Sequence, residues 1–470
     1  MKRLVALLLI VVLALTLVSC RRDNTLKLTI RRSSISKDDL ALQMSAISEF
    51  VKAFEKKNPD IDVVIEYVKG FPVDFKDVEV ALIAADSIIE YAPTDTTNLI
   101  NIMDGKTDDL LGSALNIGLF YKENEYLELE KKQVFIPFNY DRAVVFIDKS
   151  MFDKLELDLP NVDWTYEDFA DLKEKGSGMF KNDDGLNEFV VGTHMPFSLT
   201  FVWRYFVNKA AGSWYSESGT VSIASNEAQN GWRELNTLYQ TNKAKSFFGS
   251  DRYTVYAKSI MSWNYAAQPS RGDNVHLPEE TLDTIPAYRV DTLLESNSLL
   301  VLPLPSANGK QYSFANTDFI HGLSVSSYID KDKIDNAVKL IDFANSLEGN
   351  RILNKYYGGI PANKTLWKDS FWRTGVFAGE NGDNALVGIE NDQRDDYVDI
   401  FKGDVAVYEK NLRARCIMAY YLTQKHPSSG MSSDALVRFI KKAAKDIDNT
   451  IFEIGVPFGY NPQLIKEGDE

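Results

Sequence analysis

The apolar residues between Leu26 and Tyr67 change their period twice, and this change restricts the fold more than any other feature. Leu26, Leu28 and Ile30 alternate with polar neighbours, as in a strand with one buried face. Leu42, Ala46, Ile47, Phe50, Val51 and Phe54 then recur at helical spacing. Proline disfavours helical geometry in the residue before it, so this helix is expected to end near Asn58-Pro59. Ile61, Val63, Ile65 and Tyr67 alternate again. Strand, helix and strand within about 40 residues make a βαβ unit, which requires a parallel sheet covered by helices. The expected class is α/β.

The remaining pattern repeats these elements. Val134–Pro137, Ala143–Ile147, Leu299–Leu304 and Gly322–Val325 read as strands. Thr165 precedes Asp168 by three residues, the signature of a helix N-cap. Asp330 or Asp332 is placed to cap a helix bearing Ile334, Ala337, Val338, Ile341 and Ala344. Ile352, Leu353 and Tyr356 extend that pattern past Gly349 until Gly358-Gly359 stops it. Ser433 is placed to cap a last helix carrying Leu436, Phe439, Ile440, Ala443 and Ile447. With no tandem repeat and no low-complexity linker, the lobes are expected to be interwoven.

Length and charge limit the function. The 470 residues suffice for two or three lobes. A net charge of −15 argues against a nucleic-acid partner, which needs clustered Lys and Arg to displace counterions. Lys2-Arg3, the apolar run Leu4–Leu15 and Leu17-Val18-Ser19-Cys20 have the order of a secretory signal peptide. The small residue before Cys20 resembles the lipobox of bacterial lipoproteins. That resemblance implies a signal peptide over residues 1–20, a lipidated Cys20 and a polar tether over 21–25. Arg21 and Arg22 would add attraction to anionic headgroups. Cys416, the only other cysteine, then has no intrachain partner and reads as a buried thiol.

Catalytic patterns are sparse. His194, His276, His321 and His426 are scattered, without the paired spacing of a zinc site. There is no Gly-x-Ser-x-Gly elbow and no phosphate-binding Gly-x-x-x-x-Gly-Lys loop. No enzyme, cofactor or metal is expected, although two carboxylates brought together by the fold would suffice for a glycosidase. The acidic stretches Asn381–Asn384 and Asp392–Asp399 read as solvated loop and helix face rather than a calcium site.

Several segments resemble, in order, the type 1 extracellular solute-binding proteins, the maltodextrin-binding-like receptors of bacterial ABC importers. Ile47–Val63 is similar to their first helix and second strand, and Ile136-Pro137 with Val145–Phe152 to their crossover. Trp164-Thr165-Tyr166-Glu167-Asp168-Phe169 matches the helix start that follows. Ala257–Met261, Leu302–Pro305, Gly322–Val325 and Gly359-Ile360-Pro361 complete the series. Ile147-Asp148 and Ala85-Asp86-Ser87 depart from the usual motifs. The resemblance implies a periplasmic-binding-protein-like fold, with two discontinuous α/β lobes around a ligand cleft and hinge strands. It places residues 26–137 and 302–358 in lobe 1, and 138–301 and 359–466 in lobe 2. It also implies a monomer that binds a carbohydrate, engages permease subunits and sits outside the cytoplasm on a lipid anchor. The same fold could hold a polyamine, a glycerol phosphate or a peptide.

Aromatic rings cover the apolar faces of a sugar, while polar groups grip its hydroxyl rim. Position within the resemblance selects Tyr91 and Asp95 after a parallel strand, and Asn139, Tyr140 and Asp141 at the hinge. It also selects Phe197 and Trp203, the alternating pair Trp263 and Tyr265, and Asp318 and His321 ahead of Gly322. Trp203 and Trp263 have core packing as their alternative role. Arg31, Arg32, Trp367 and Trp372 are weaker candidates, with surface or packing roles as the simpler account.

Overall fold

The computed structural model describes residues 24–32, 37–70, 75–85, 102, 108–123, 129–179, 191–193, 199–212, 223–241, 260–266, 293–317, 319–392, 438 and 440–441. In chain order the first elements are β1 (Thr25–Arg31), α1 (Lys37–Lys57), β2 (Asp62–Val68), β3 (Val80–Ala84) and α2 (Gly112–Ile117). There follow β4 (Leu119–Glu123), β5 (Leu129–Gln133), β6 (Ile136–Pro137), β7 (Asn139–Tyr140), β8 (Ala143–Asp148) and α3 (Lys149–Lys154). Next come α4 (Tyr166–Met179), β9 (Val191–Thr193), α5 (Leu199–Ala211), α6 (Asn226–Thr241), β10 (Met261–Tyr265) and β11 (Leu299–Leu302). The last are β12 (His321–Val325), α7 (Ile334–Ala344), α8 (Leu347–Tyr357), β13 (Ile360–Pro361) and α9 (Gly379–Leu386).

Two principal sheets divide these strands. The first has the order β2-β1-β3-β12-β6. Its β1 pairs in parallel with both β2 and β3, as the βαβ reading requires, while β12 runs antiparallel to β3 and β6. Leu26, Leu28 and Ile30 pack against Ile47, Phe50 and Phe54 of α1, and α7 and α8 add Leu340, Ile341 and Leu353 to that core. The opposite face buries Ala81 and Ile83 against Leu111, Ala114 and Ile117 around α2.

The second sheet has the order β11-β8-β10-β9. All six residues of β8 are buried, because both faces of this central strand are covered. Val145 and Ile147 enter an aromatic core built from α4, α5, α6 and β10, while Val144 and Phe146 meet Val301, Val376 and Ala385. The outer edge of β11 is occupied by one side chain. Asn381 accepts from Val301 N at 2.9 Å and donates to Leu299 O at 3.1 Å, as a neighbouring strand would.

Local signals act as expected at several ends. Thr165 and Asp168 form a reciprocal capping box, with Thr165 N donating to Asp168 at 2.8 Å and Asp168 N donating to Thr165 Oγ1 at 3.2 Å. Helix α1 stops at Lys57, immediately before Asn58-Pro59. The single helix expected to run past Gly349 is instead two. Asn345 Nδ2 donates back to Ile341 O, ending α7, and Ser346 Oγ accepts from Gly349 N at 3.2 Å, starting α8. Gly349 permits this break, since a Cβ there would lie 2.0 Å from the Phe343 carbonyl oxygen. The turn before α7 is a short 3-10 segment, and neither Asp330 nor Lys333 caps it through a side chain. Of the helix expected after Ser433, only Arg438, Ile440 and Lys441 lie within the described residues, all helical.

The chain leaves the first sheet after β6 and enters the second at β8. Leu304, Ala307, Tyr312 and Phe314 pack in the second lobe's core, and the chain rejoins the first sheet at His321. Ile360 and Ala362 pack with the first lobe, and Val376 is the next residue in the second lobe's outer cluster.

Candidate functional site

The passages between the sheets converge on one short stretch, Asn139-Tyr140-Asp141-Arg142. Here β7 pairs with β13, matching Tyr140 with Ile360 and Asn139 with Pro361. Asn139 is fully buried, and its amide joins three segments. Nδ2 donates to Phe319 O at 3.0 Å and Gly358 O at 2.8 Å, while Oδ1 accepts from His321 N at 2.6 Å. Asp141 accepts from Arg142 N at 2.9 Å and from Asn316 Nδ2 at 2.8 Å. Buried polar groups are stable only when so satisfied, so these side chains fix the crossing geometry. Backbone bonds reinforce it, from Asn316 N to Asp141 O, Ala143 N to Phe314 O, Ala266 N to Arg142 O and Ala362 N to Phe138 O.

A buried ion pair lies beside them. Arg142 Nη2 is 2.7 Å from Asp392 Oδ1, and the two side chains are 2% and 0% exposed. Arg142 also donates to Ser313 Oγ at 2.6 Å, Ala385 O at 3.0 Å and Val387 O at 2.6 Å. Tyr140 Oη donates to the other Asp392 oxygen at 3.2 Å. Burial pushes the Asp392 carboxyl up to about 6, against the opposing pull of Arg142 and of hydrogen bonds from Ser313 and Tyr140. Burial and the Asp392 charge together raise the Tyr140 phenol well above its ordinary range.

Next to the hinge, the carboxyl ends of β1 and β3 form an edge with the start of β12. Such edges are where open α/β sheets hold ligands. The His321 ring lies 4.4 Å from that of Tyr357, and His321 Nδ1 is 3.0 Å from Phe319 O. Gln43 donates to Arg31 O at 3.1 Å and reaches the Tyr357 hydroxyl at 3.5 Å. Arg31 and Arg32 are exposed on the same edge. The edge thus presents a half-buried imidazole and two exposed cations, with the Tyr357 ring and the Gln43 amide buried behind them. A separate hollow of about 210 Å3 opens between α4 and α6, lined by Tyr166, Phe169, Lys173, Arg233, Glu234 and Thr237 among others. Among the described residues no group of three His, Cys, Asp or Glu side chains could hold a metal.

Comparison with known proteins decides the family. Residues 49–375 match the family model described as bacterial extracellular solute-binding protein. The chain belongs to that family. Solved structures share its architecture. Maltose-bound MalE3 of T. maritima is 17% identical with a TM-score of 0.58, over 90% of this chain and 99% of that one. The sugar-binding protein MalE of Xanthomonas citri is 14% identical with a TM-score of 0.60, over 90% and 97%. An ABC substrate-binding protein of Listeria monocytogenes in complex with cycloalternan is 16% identical with a TM-score of 0.56, over 90% and 98%. At these identities the likeness establishes the fold. No curated protein sequence matches the chain. Members of the family bind solutes and are not enzymes, and the family is extracytoplasmic.

In this solute-binding protein the residues expected at the site separate into three groups. Asn139, Tyr140, Asp141 and His321 come together at the hinge, although the first three are enclosed and engaged by the crossing segments. Tyr265 lies at the hinge end of β10, opposite Ala143, and is also fully buried. Trp203 and Trp263 lie inside the second lobe. Trp203 stacks on Trp232 at 5.5 Å, and Trp263 is surrounded by Phe169, Tyr205 and Phe206 at 5.1, 4.9 and 5.9 Å. Both indoles are enclosed by these rings, 2% and 1% exposed. Trp367 donates to Pro361 O at 2.8 Å, and Trp372 is buried against Phe371. Tyr91, Asp95, Phe197, Asp318 and Cys20 lie outside the described residues, as does Cys416.

Sequence reasoning missed Arg142, Ser313, Asn316 and Asp392. It treated Asp392 as the start of a solvated acidic stretch, whereas the carboxylate is enclosed and paired. The available signal was Arg142 itself, a charge wedged between Ile136–Tyr140 and the apolar run Ala143–Ile147. A cation in such surroundings requires a buried partner.

Proposed function

We propose that this protein is the receptor of an ABC importer and binds a carbohydrate reversibly between its two lobes. The supporting observation is the hinge. Two sheets with separate cores are joined through short crossings held by Asn139, Asp141 and Arg142, beside an edge carrying His321. Contacts made to both lobes exist only in a closed form, so ligand shifts the population towards closure by its differential affinity. The structural relatives bound to maltose and cycloalternan favour a sugar or oligosaccharide. The leader ending at Cys20 supports a lipid anchor that holds a monomeric receptor near its permease subunits.

A thermal-shift screen of residues 21–470 against maltose, maltotriose and monosaccharides tests this reading. A bound sugar at 100 times its dissociation constant should add about 2.7 kcal/mol of stability. No shift with any sugar, together with a shift from spermidine, glycerol phosphate or a peptide, would transfer the role to a non-carbohydrate solute. Turnover of a reporter glycoside would overturn the receptor reading.

A further inference from the structure

We propose that residues 385–392 form a strap across the hinge, locked by Arg142, that limits how far the two lobes can swing. The strap joins both lobes over a very short length of chain. Ala385 belongs to the second lobe's outer cluster, with Val144, Phe146 and Val301. Four residues later, Ile389 belongs to the first lobe's cluster with Leu111, Ala114 and Ala362. Its first-lobe end is fastened at α2. Ser113 Oγ donates to Ile389 O at 2.8 Å, Gly112 N donates to Glu390 Oε2 at 3.1 Å, and Lys364 Nζ reaches Glu390 Oε1 at 3.1 Å.

Arg142 closes the lock from the hinge side. Its guanidinium holds the carbonyls of Ala385 and Val387, and the carboxylate of Asp392, at 3.0, 2.6 and 2.7 Å. The same group holds Ser313 on the returning passage at 2.6 Å. Arg142 lies between β7 and β8, so any rotation of one sheet against the other must pull on these bonds. A planar fork bonded at several fixed angles tolerates little displacement, unlike the point charge of a lysine. The segment between Ala362 and Val376 brings the chain from the first lobe to the second, and the strap brings it back, as a further tie beside the passages at 138–142 and between Phe314 and His321. The Arg142 contacts stand without any ligand. Their consequence rests on the hinged two-lobe reading above, and the test below uses no ligand, so the two can fail separately.

Hydrogen-exchange mass spectrometry on the full chain reads the lock directly. The informative amides are Ala266, Asn316 and Ala362, which carry crossing bonds outside the reference strands. The reference amides are those of β1 and β8, within the sheets. Arg142→Lys keeps the charge and removes the fork. The pair Ser113→Ala with Glu390→Gln releases only the first-lobe end of the strap. Both are expected to accelerate exchange at the crossing amides by about tenfold or more, with β1 and β8 unchanged, since local openings differ in free energy from global unfolding. If Arg142→Lys does not fold, the second variant alone decides. Crossing amides that exchange as in the unaltered chain, or acceleration spread equally over β1 and β8 in the Ser113→Ala, Glu390→Gln protein, would overturn the strap.

Discussion

Trp263 packs with Phe169, Tyr205 and Phe206 at the centre of the second lobe, 1% exposed. Truncating a large buried ring leaves a cavity that its neighbours fill only in part. Trp263→Ala is therefore expected to cost about 3–5 kcal/mol, measured by chemical denaturation, whereas a ring stacked on a ligand would lose affinity with stability intact. Asp392 carries a pH dependence of opposite sign to that of a carboxylate whose pKa is lowered by folding. Its folded value, about 6, lies above the unfolded one, so the native state keeps a proton that the unfolded chain releases. This group makes stability fall as pH rises from about 4 to about 6, by up to about 3 kcal/mol, and the contribution stays lost above that window. Asp392→Asn should flatten that part of the melting-temperature profile against pH. A profile as steep as that of the parent chain would assign the slope to other groups. Single residues were the least legible scale. Alternation placed Trp263 and Tyr265 on one face correctly, but periodicity does not say whether that face meets a ligand or a second layer of helices.

Elements were more legible, because their signals are local. The Thr165–Asp168 box, the stop before Pro59 and the end at Gly358 depend on neighbours within a few residues. The Asp168 carboxyl is held below its ordinary range by its two hydrogen bonds with Thr165, a direct mark of the cap. The division between α7 and α8 was not legible, since the apolar period continues across it and only the Asn345-Ser346 backbone departs from helix. Gly359 shows how tightly an element end can be specified. Its φ is +80°, and a Cβ would lie 2.6 Å from the Tyr140 carbonyl oxygen, at the register where β13 meets β7. Gly359→Ala combines backbone strain with that clash, and should destabilise the protein by more than about 1 kcal/mol. A melting temperature within a degree or so of the parent would show that β13 can shift away from β7.

At the scale of the molecule, the first βαβ unit was enough to give the class, and the order of weak motifs carried the two-lobe architecture. Where the chain changes lobes was harder to read. Leu304–Phe314 contributes to the second lobe's core and Ile360–Ala362 to the first lobe's, through contacts far apart in sequence. The Arg142–Asp392 pair spans 250 positions, beyond the reach of any local pattern. The side chain of Asn381 has a consequence at this scale. By bonding both Val301 N and Leu299 O, it removes the free backbone groups on which a second molecule could add a strand. A protein at high local concentration thereby loses one route to fibrous self-assembly, through a single amide.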